Sequence, residues 1–397
     1  MTIIHPFRFD IPESALQYLR RRIKETRWPD RETPNDWSQG APLAYVQELC
    51  EYWRTQYDWR RCEAQLNALP QFVTEIDGID IQFIHIRSKH QNALPLILTH
   101  GWPGSVIEFL KVLGPLTDPT AHGGTEADSF HVVCPTLPGF GFSGKPSAPG
   151  WNIQRIGRAW GQLMARLGYD RYVAQGGDWG SIVTHAMAMS ESEHCAAIHV
   201  NLPLVSPSEP LLQNPTEQEQ SALAAFQHYM DWDSGYSKQQ STRPQTLGYG
   251  LVDSPAGQCA WILEKFWAWT DCNGHPENAL TKDEMLDDIM MYWLPATGAS
   301  SARLYWESFA ELLAPKPSIH IPVGVSLFPK EILVPRSGGA KSATQSLSIS
   351  ICPTKAVISL PLSNPQASLT KCVPVLGKSA SAYGDRSGRS SLKTHRR

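Results

Sequence analysis

Long hydrophobic runs are missing: nowhere in the 397 residues do eighteen apolar residues stand together, so no transmembrane helix is expected. Met1–Phe9 shows no basic segment leading into an apolar run, so no signal peptide is expected either. Charged residues make up only 18%, while the 42% hydrophobic content is ordinary for a globular protein, which excludes disorder for the bulk of the chain. Eight cysteines (50, 62, 134, 195, 259, 272, 352, 372) form no CxxC pair and no zinc spacing. A reducing, cytoplasmic setting with buried thiols and a soluble protein without a membrane anchor is the expectation. There is no internal repeat. No GxGxxG is present, and the glycines of Pro138-Gly-Phe-Gly-Phe-Ser143 read as turn-shaping. Neither a metal nor an organic cofactor is called for.

The net charge of −3 hides an asymmetry. Residues 337–397 hold nine Lys/Arg against Asp385 alone, leaving 26 basic and 37 acidic residues in 1–336. The same last segment has 13 Ser in 61 residues, with no Glu, Trp or Phe, so its composition departs from that of a folded core. It contains β-prone runs at Ser346–Ile351 and Ala356–Leu360 but no helical periodicity. It lacks the interleaved aromatics of a single-strand binder and the amphipathic order of a lipid-binding helix, so no nucleic-acid or membrane partner is expected.

Within 1–336 the periodicity changes along the chain. Pro12 with Leu16, Leu19 and Ile23, and then Leu43, Val46, Leu49 and Trp53, have helical spacing. Phe72–Ile76 and Ile79–Ile86 flank Asp77-Gly78 as a hairpin. Short apolar runs starting at Leu94, Phe130, Tyr172 and Ala196 then alternate with helical stretches, the clearest carrying Ile153, Ile156, Trp160, Leu163, Met164 and Leu167. Such alternation predicts an α/β fold with a mainly parallel sheet and chemistry at the loops after the strands. Residues 206–300, rich in Pro, Gln and Trp with helices at Gln258–Trp269 and Lys282–Trp293, read as an inserted lid, and Ile319–Phe328 returns to strand character.

Tyr172-Val-Ala-Gln-Gly-Gly-Asp-Trp-Gly-Ser181 has the shape of a nucleophile elbow: strand, small–x–acid–x–small turn, apolar helix. Asp178 stands where a hydrolase usually carries Ser, and a carboxylate there forms an ester with an sp³ carbon. The same residues also fit an Asp that caps a helix beside two turn glycines. A second motif, Leu96-Ile-Leu-Thr-His-Gly-Trp-Pro-Gly-Ser105, follows an earlier strand. Its Trp102 amide, with that of Trp179, is placed to form an oxyanion hole. His100 reads as a loop-shaping residue rather than a base.

His100–Ser105, Pro135–Ser143 and Gly176–Ser181 together resemble the α/β-hydrolase epoxide hydrolases, closest to their microsomal and juvenile-hormone branch. Phe7–Trp59 resembles the N-terminal region of that branch, and Gly235-Tyr236, Glu264-Lys-Phe, Ser300–Tyr305 and Phe328-Pro-Lys-Glu331 follow in family order. The resemblance implies residues 1–78 as the N-terminal region, 79–205 and 301–336 as the hydrolase core, 206–300 as a helical lid and 337–397 as an aberrant tail. It also implies a lipophilic epoxide and water as substrates, with Asp178 attacking carbon. Tyr236 and Tyr305 protonate the oxygen, Trp102 and Trp179 hold the ester oxyanion, and Glu331 orients a histidine. The family carries that histidine in a Gly-Gly-His-Phe segment soon after the Phe-Pro-x-Glu motif. Here the only histidine after Glu331 is His395, in Lys-Thr-His-Arg-Arg, and the last strand and helix of the core are expected to be missing. The break after Arg336 has the character of an out-of-frame or mis-spliced segment. A haloalkane dehalogenase and a hydrolase-fold binding protein that has lost its base are the competing readings. The two lid tyrosines oppose the first, and the retained Asp178, Tyr236, Tyr305 and Glu331 oppose the second.

Overall fold

A computed structural model describes residues 3–202, 215–313, 318–328 and 347–351. Strand β1 (Ile4–Pro6) precedes three helices, α1 (Glu13–Lys24), α2 (Leu43–Thr55) and α3 (Trp59–Asn67). The α1 face carrying Leu16, Leu19 and Ile23 is buried, as is the α2 face carrying Val46, Leu49 and Trp53. Strands β2 (Gln71–Ile76) and β3 (Ile79–Ile86) form the expected hairpin, pairing Ile76 with Ile79. Asp77 (φ 52°) and Gly78 (φ 81°) supply the two left-handed residues that a two-residue turn needs.

The alternating part follows: β4 (Leu94–Thr99), α4 (Leu110–Thr117), β5 (Phe130–Pro135), α5 (Ile153–Arg166), β6 (Tyr172–Gly176), α6 (Trp179–Ser190) and β7 (Cys195–Val200). Asn152 caps α5 by accepting from the Arg155 amide, and the apolar face of this helix is buried. After the described gap come α7 (Glu217–His228), a π-helical turn at Tyr229–Asp233, α8 (Gly235–Thr242), α9 (Pro244–Asp253), α10 (Pro255–Trp269), α11 (Lys282–Trp293) and α12 (Gly298–Leu313). Helix α10 starts three residues earlier than periodicity places it, because Ser254 caps it and Pro255 occupies the first turn. Helix α11 starts where the sequence puts it, set by a capping box between Thr281 and Glu284.

Strands β8 (Val323–Leu327) and β9 (Leu347–Ile351) complete a nine-stranded sheet in the order β1-β2-β3-β5-β4-β6-β7-β8-β9. The pairs β1-β2, β2-β3 and β3-β5 are antiparallel, and the remainder of the sheet is parallel. The fold is thus the α/β-hydrolase type, with an N-terminal extension and a helical lid. Strand β9 corrects the expectation that nothing after Arg336 joins the sheet: Leu347–Ile351 pairs residue by residue with Val323–Leu327. The alternation Leu-Ser-Ile-Ser-Ile suits an extended strand, and the open side of β8 offers it a ladder. The rest of 337–397, the covering helix of the core and the boundary near 336 lie outside the described residues. The β8 ladder is also shorter than the sequence suggests, starting at Val323 because Pro322 has no amide to donate.

The N-terminal helices clamp the lid. Tyr57 donates to Asp287 Oδ1 at 2.7 Å, and Arg61 reaches both Asp287 oxygens at 2.7 Å. Tyr52 donates to Asp283 at 2.9 Å and Tyr45 to Glu277 at 3.0 Å. Trp37 stacks on Trp267 at 5.0 Å with a 4° interplanar angle. Asp287→Ala removes the shared acceptor and leaves Arg61 and Tyr57 without it. We expect a loss of about 3 kcal/mol, read by urea unfolding. An unchanged midpoint would mean that the Tyr57–Asp287–Arg61 cluster does not hold the lid.

Candidate active site

Strand β6 ends in Gly176 and α6 begins at Trp179, so Asp178 sits on the turn between them with φ 50° and ψ −127°. This backbone is unfavourable for an L-residue and is held by its surroundings. A Cβ at Gly180 would stand 1.9 Å from the Thr99 carbonyl oxygen, so β4 and α6 approach as closely as only glycine permits. Across the turn, the β4 loop runs through Gly101 and a cis Trp102-Pro103 bond. The Trp102 amide donates to Asp178 Oδ1 at 2.8 Å. The Trp179 amide also bonds the carboxyl, so both expected oxyanion donors converge on it. A Cβ at Gly101 would lie 2.3 Å from Asp178 Oδ1.

Burial pushes the Asp178 carboxyl up to about 6, against the pull of the Trp179 and Trp102 amides. Among the described residues, no imidazole is one of the groups acting on it. His100 cannot serve: Nε2 accepts from the Leu137 amide at 3.1 Å, which leaves Nδ1 to donate to the Gly101 carbonyl at 3.0 Å. Burial holds this imidazole down to about 4. It shapes the loop, as the sequence suggests.

The lid brings aromatic rings over the elbow. Tyr236, from α8, stacks on Trp102 at 5.0 Å and 9°. Tyr305, from α12, meets Trp179 edge-on at 4.7 Å and Tyr236 at 5.8 Å. Both phenols are buried and held well above their usual range, chiefly by desolvation, so both keep their protons at neutral pH. The buried Tyr305 hydroxyl makes no hydrogen bond of ordinary length among the described residues. Asp178, Trp102, Trp179, Tyr236 and Tyr305 are therefore gathered at one place, while Glu331 and His395 lie outside the described residues.

Sequence reasoning gave several neighbours no role in the site. Tyr229 brings its hydroxyl to 3.2 Å from that of Tyr236, and Trp269 meets the Tyr236 ring at 5.1 Å. Lys265 Nζ stands 4.4 Å over the Tyr236 ring. Beneath the Trp102 loop lie two buried acids, Glu108 and Asp288, the latter accepting from Ser105 at 2.6 Å. A carboxylate inside apolar Val106-Ile-Glu-Phe-Leu110 is the one signal that the sequence offered for that pair.

An elbow carboxylate that accepts two converging amides, faced by neutral buried phenols, can attack an sp³ carbon while a phenol protonates the departing oxygen. Comparison with known proteins points the same way. The family model described as "Epoxide hydrolase N terminus" matches residues 4–109, and the one described as "alpha/beta hydrolase fold" matches residues 95–243. Epoxide hydrolase 1 of Sus scrofa is 36% identical over 358 residues, covering 83% of this chain and 79% of that protein. The chain belongs to the epoxide hydrolase family. A Stigmatella aurantiaca protein that carries the provisional name of epoxide hydrolase is 57% identical over 329 residues, 83% of this chain and 74% of its own. The crystal structure of the Bombyx mori juvenile hormone epoxide hydrolase superposes with a TM-score of 0.89 at 28% identity, covering 96% of both chains. That of the Aspergillus niger epoxide hydrolase gives 0.83 at 30% identity, covering 95% of this chain and 96% of the other. No helix among the described residues is long and apolar enough to cross a membrane.

The buried acids give this epoxide hydrolase a pH signature. Burial raises Asp288 to about 8 and Glu108 well above its usual range. The unfolded chain releases the Asp288 proton near pH 4 and the folded chain near 8, so the folded state binds more protons between those values. Stability must fall as pH rises across that window. Asp288→Asn keeps an acceptor for Ser105 without the proton linkage. Its melting temperature should depend less on pH between 5 and 8, whereas an unchanged slope would remove Asp288 from the cause.

Proposed function

We propose that this epoxide hydrolase opens a small to medium lipophilic epoxide through a covalent Asp178 ester. The observation that carries the reading is the positive-φ Asp178 carboxylate, bonded by the Trp102 and Trp179 amides and faced by the buried Tyr236 and Tyr305 phenols. Oδ1 is held by the Trp102 amide, so Oδ2 is the attacking oxygen. It bonds to an epoxide carbon, the carbon–oxygen bond of the ring breaks with its electron pair on oxygen, and a phenolic proton goes to that oxygen. The rings of Trp102, Trp179 and Trp269 suit an apolar substituent on the epoxide. On this reading the chain handles reactive lipophilic epoxides, in detoxification or within biosynthesis.

In the second half, water attacks the ester carbonyl, and the oxyanion forms on Oδ1, already bonded by the Trp102 amide. That step needs a base to take the proton of the water. Glu331 is the residue assigned to orient a histidine, and His395 is the only histidine in the sequence after it. We infer that the first half outruns the second, so that the ester accumulates.

Intact-protein mass spectrometry after incubation with styrene oxide, with the diol quantified in parallel, tests this. We expect a stable gain of one epoxide mass, absent in Asp178→Ala, and no diol beyond one equivalent. Sustained diol production would show that a histidine does reach the ester. Neither adduct nor diol from folded protein would favour the binding-protein reading. Because the carboxylate must be ionised, the rate of adduct formation should fall as pH drops through about 6. Tyr305→Phe should slow the step about a hundredfold.

A further inference from the structure

Lys265 lies in α10 among Ile262, Phe266 and Trp269, all buried, and is itself only 3% exposed. Its Nζ stands 4.4 Å above the centroid of the Tyr236 ring and 5.3 Å above that of Trp269. Its ion-pair partner is the neighbouring Glu264, at 2.6 Å. An ammonium is costly on a helix face whose neighbours are apolar, and an apolar side chain would fill that position without the cost. The observation that needs explaining is a cation aimed at the face of a tyrosine inside the site.

We propose that Lys265 is a positioning residue for proton donation by Tyr236, stabilising the ring face as the phenol gives up its proton; this rests on the reading of Asp178 and Tyr236 above. A cation over a neutral ring feels only the ring quadrupole. As the Tyr236 O–H bond breaks and the epoxide oxygen takes the proton, negative charge spreads into the ring beneath Nζ and the attraction grows. The interaction is thus stronger in the transition state than in the resting site, which is the condition for accelerating the step. The other groups facing Tyr236 oppose a phenolate: Asp178 below it, the Tyr305 ring from α12, and Tyr229 from the π-helical turn. Lys265 supplies the compensating charge, and Glu264 tempers it. After ring opening, water returns a proton to the Tyr236 oxygen.

A double-mutant cycle separates this role from packing. First-turnover consumption of styrene oxide is measured for the unsubstituted chain, Lys265→Met, Tyr236→Phe, the double variant and Lys265→Arg, with folding checked by circular dichroism. Lys265→Met should slow consumption about tenfold, and Lys265→Arg, which keeps the cation, by less than about threefold. In the Tyr236→Phe background, where Tyr305 carries the proton, the Met change should cost less than about twofold. Equal slowing in both backgrounds would assign Lys265 to packing and overturn the proposal, as would an unslowed Lys265→Met. If the Met variant does not fold, Lys265→Gln takes its place in the cycle with the same expectations. An unsubstituted chain that consumes no epoxide would overturn the reading of the site and this proposal together, which distinguishes it from a failure of Lys265 alone.

Discussion

The contact between the Trp102 amide and Asp178 Oδ1 is the constraint on which the rest of the site depends. It requires a carboxylate on a left-handed turn, a loop that reaches over from β4, and no side chain at Gly101 to part them. The close approach of Gly180 to the Thr99 carbonyl fixes the distance between the two elements. Backbone strain at Asp178 is sustained by the sheet on one side and α6 on the other. In the proposed mechanism the same amide that orients the carboxylate before attack stands ready for the oxyanion of its ester, so one fixed dipole serves both halves of the reaction.

Above that point the lid sets the chemistry. A bare carboxylate against an apolar pocket would favour any sp³ electrophile. Two neutral phenols, kept protonated by burial, bias it toward a substrate whose departing oxygen needs a proton. Their position depends on helices α8, α10 and α12, and α10 and α11 are in turn tied to the N-terminal extension through Trp37 on Trp267 and the Tyr57–Asp287–Arg61 cluster. The extension thus contributes to the active site without supplying a residue to it.

Much of this was legible in the residues. Gly-Gly-Asp-Trp-Gly between an apolar run and an apolar helix fits a strained elbow, and the His100–Ser105 motif favours that over an ordinary helix cap. The hairpin was legible from Asp77-Gly78, and the helix at Lys282–Trp293 from its own residues. Tyr236 and Tyr305 were visible only through resemblance, since nothing local distinguishes a catalytic tyrosine from a core aromatic. Lys265 was quoted only as the middle of Glu264-Lys-Phe, with no role attached, and Tyr229 and Trp269 were not singled out for the site. Their significance comes from rings brought together across the lid, a long-range property that spacing within one helix does not encode. Strand β9 was misjudged for a related reason: basic, Ser-rich composition outweighed a short alternating run whose partner, the open side of β8, is a feature of the tertiary structure.

The central claim is that the oxygen nucleophile belongs to Asp178. Proteolysis of the chain after a single exposure to styrene oxide, followed by tandem mass spectrometry, tests it directly. The account predicts the added mass on the peptide that contains Gly176–Ser181, fragmenting to Asp178. Label on a tyrosine, cysteine or histidine, with the Asp178 peptide unmodified, would contradict it.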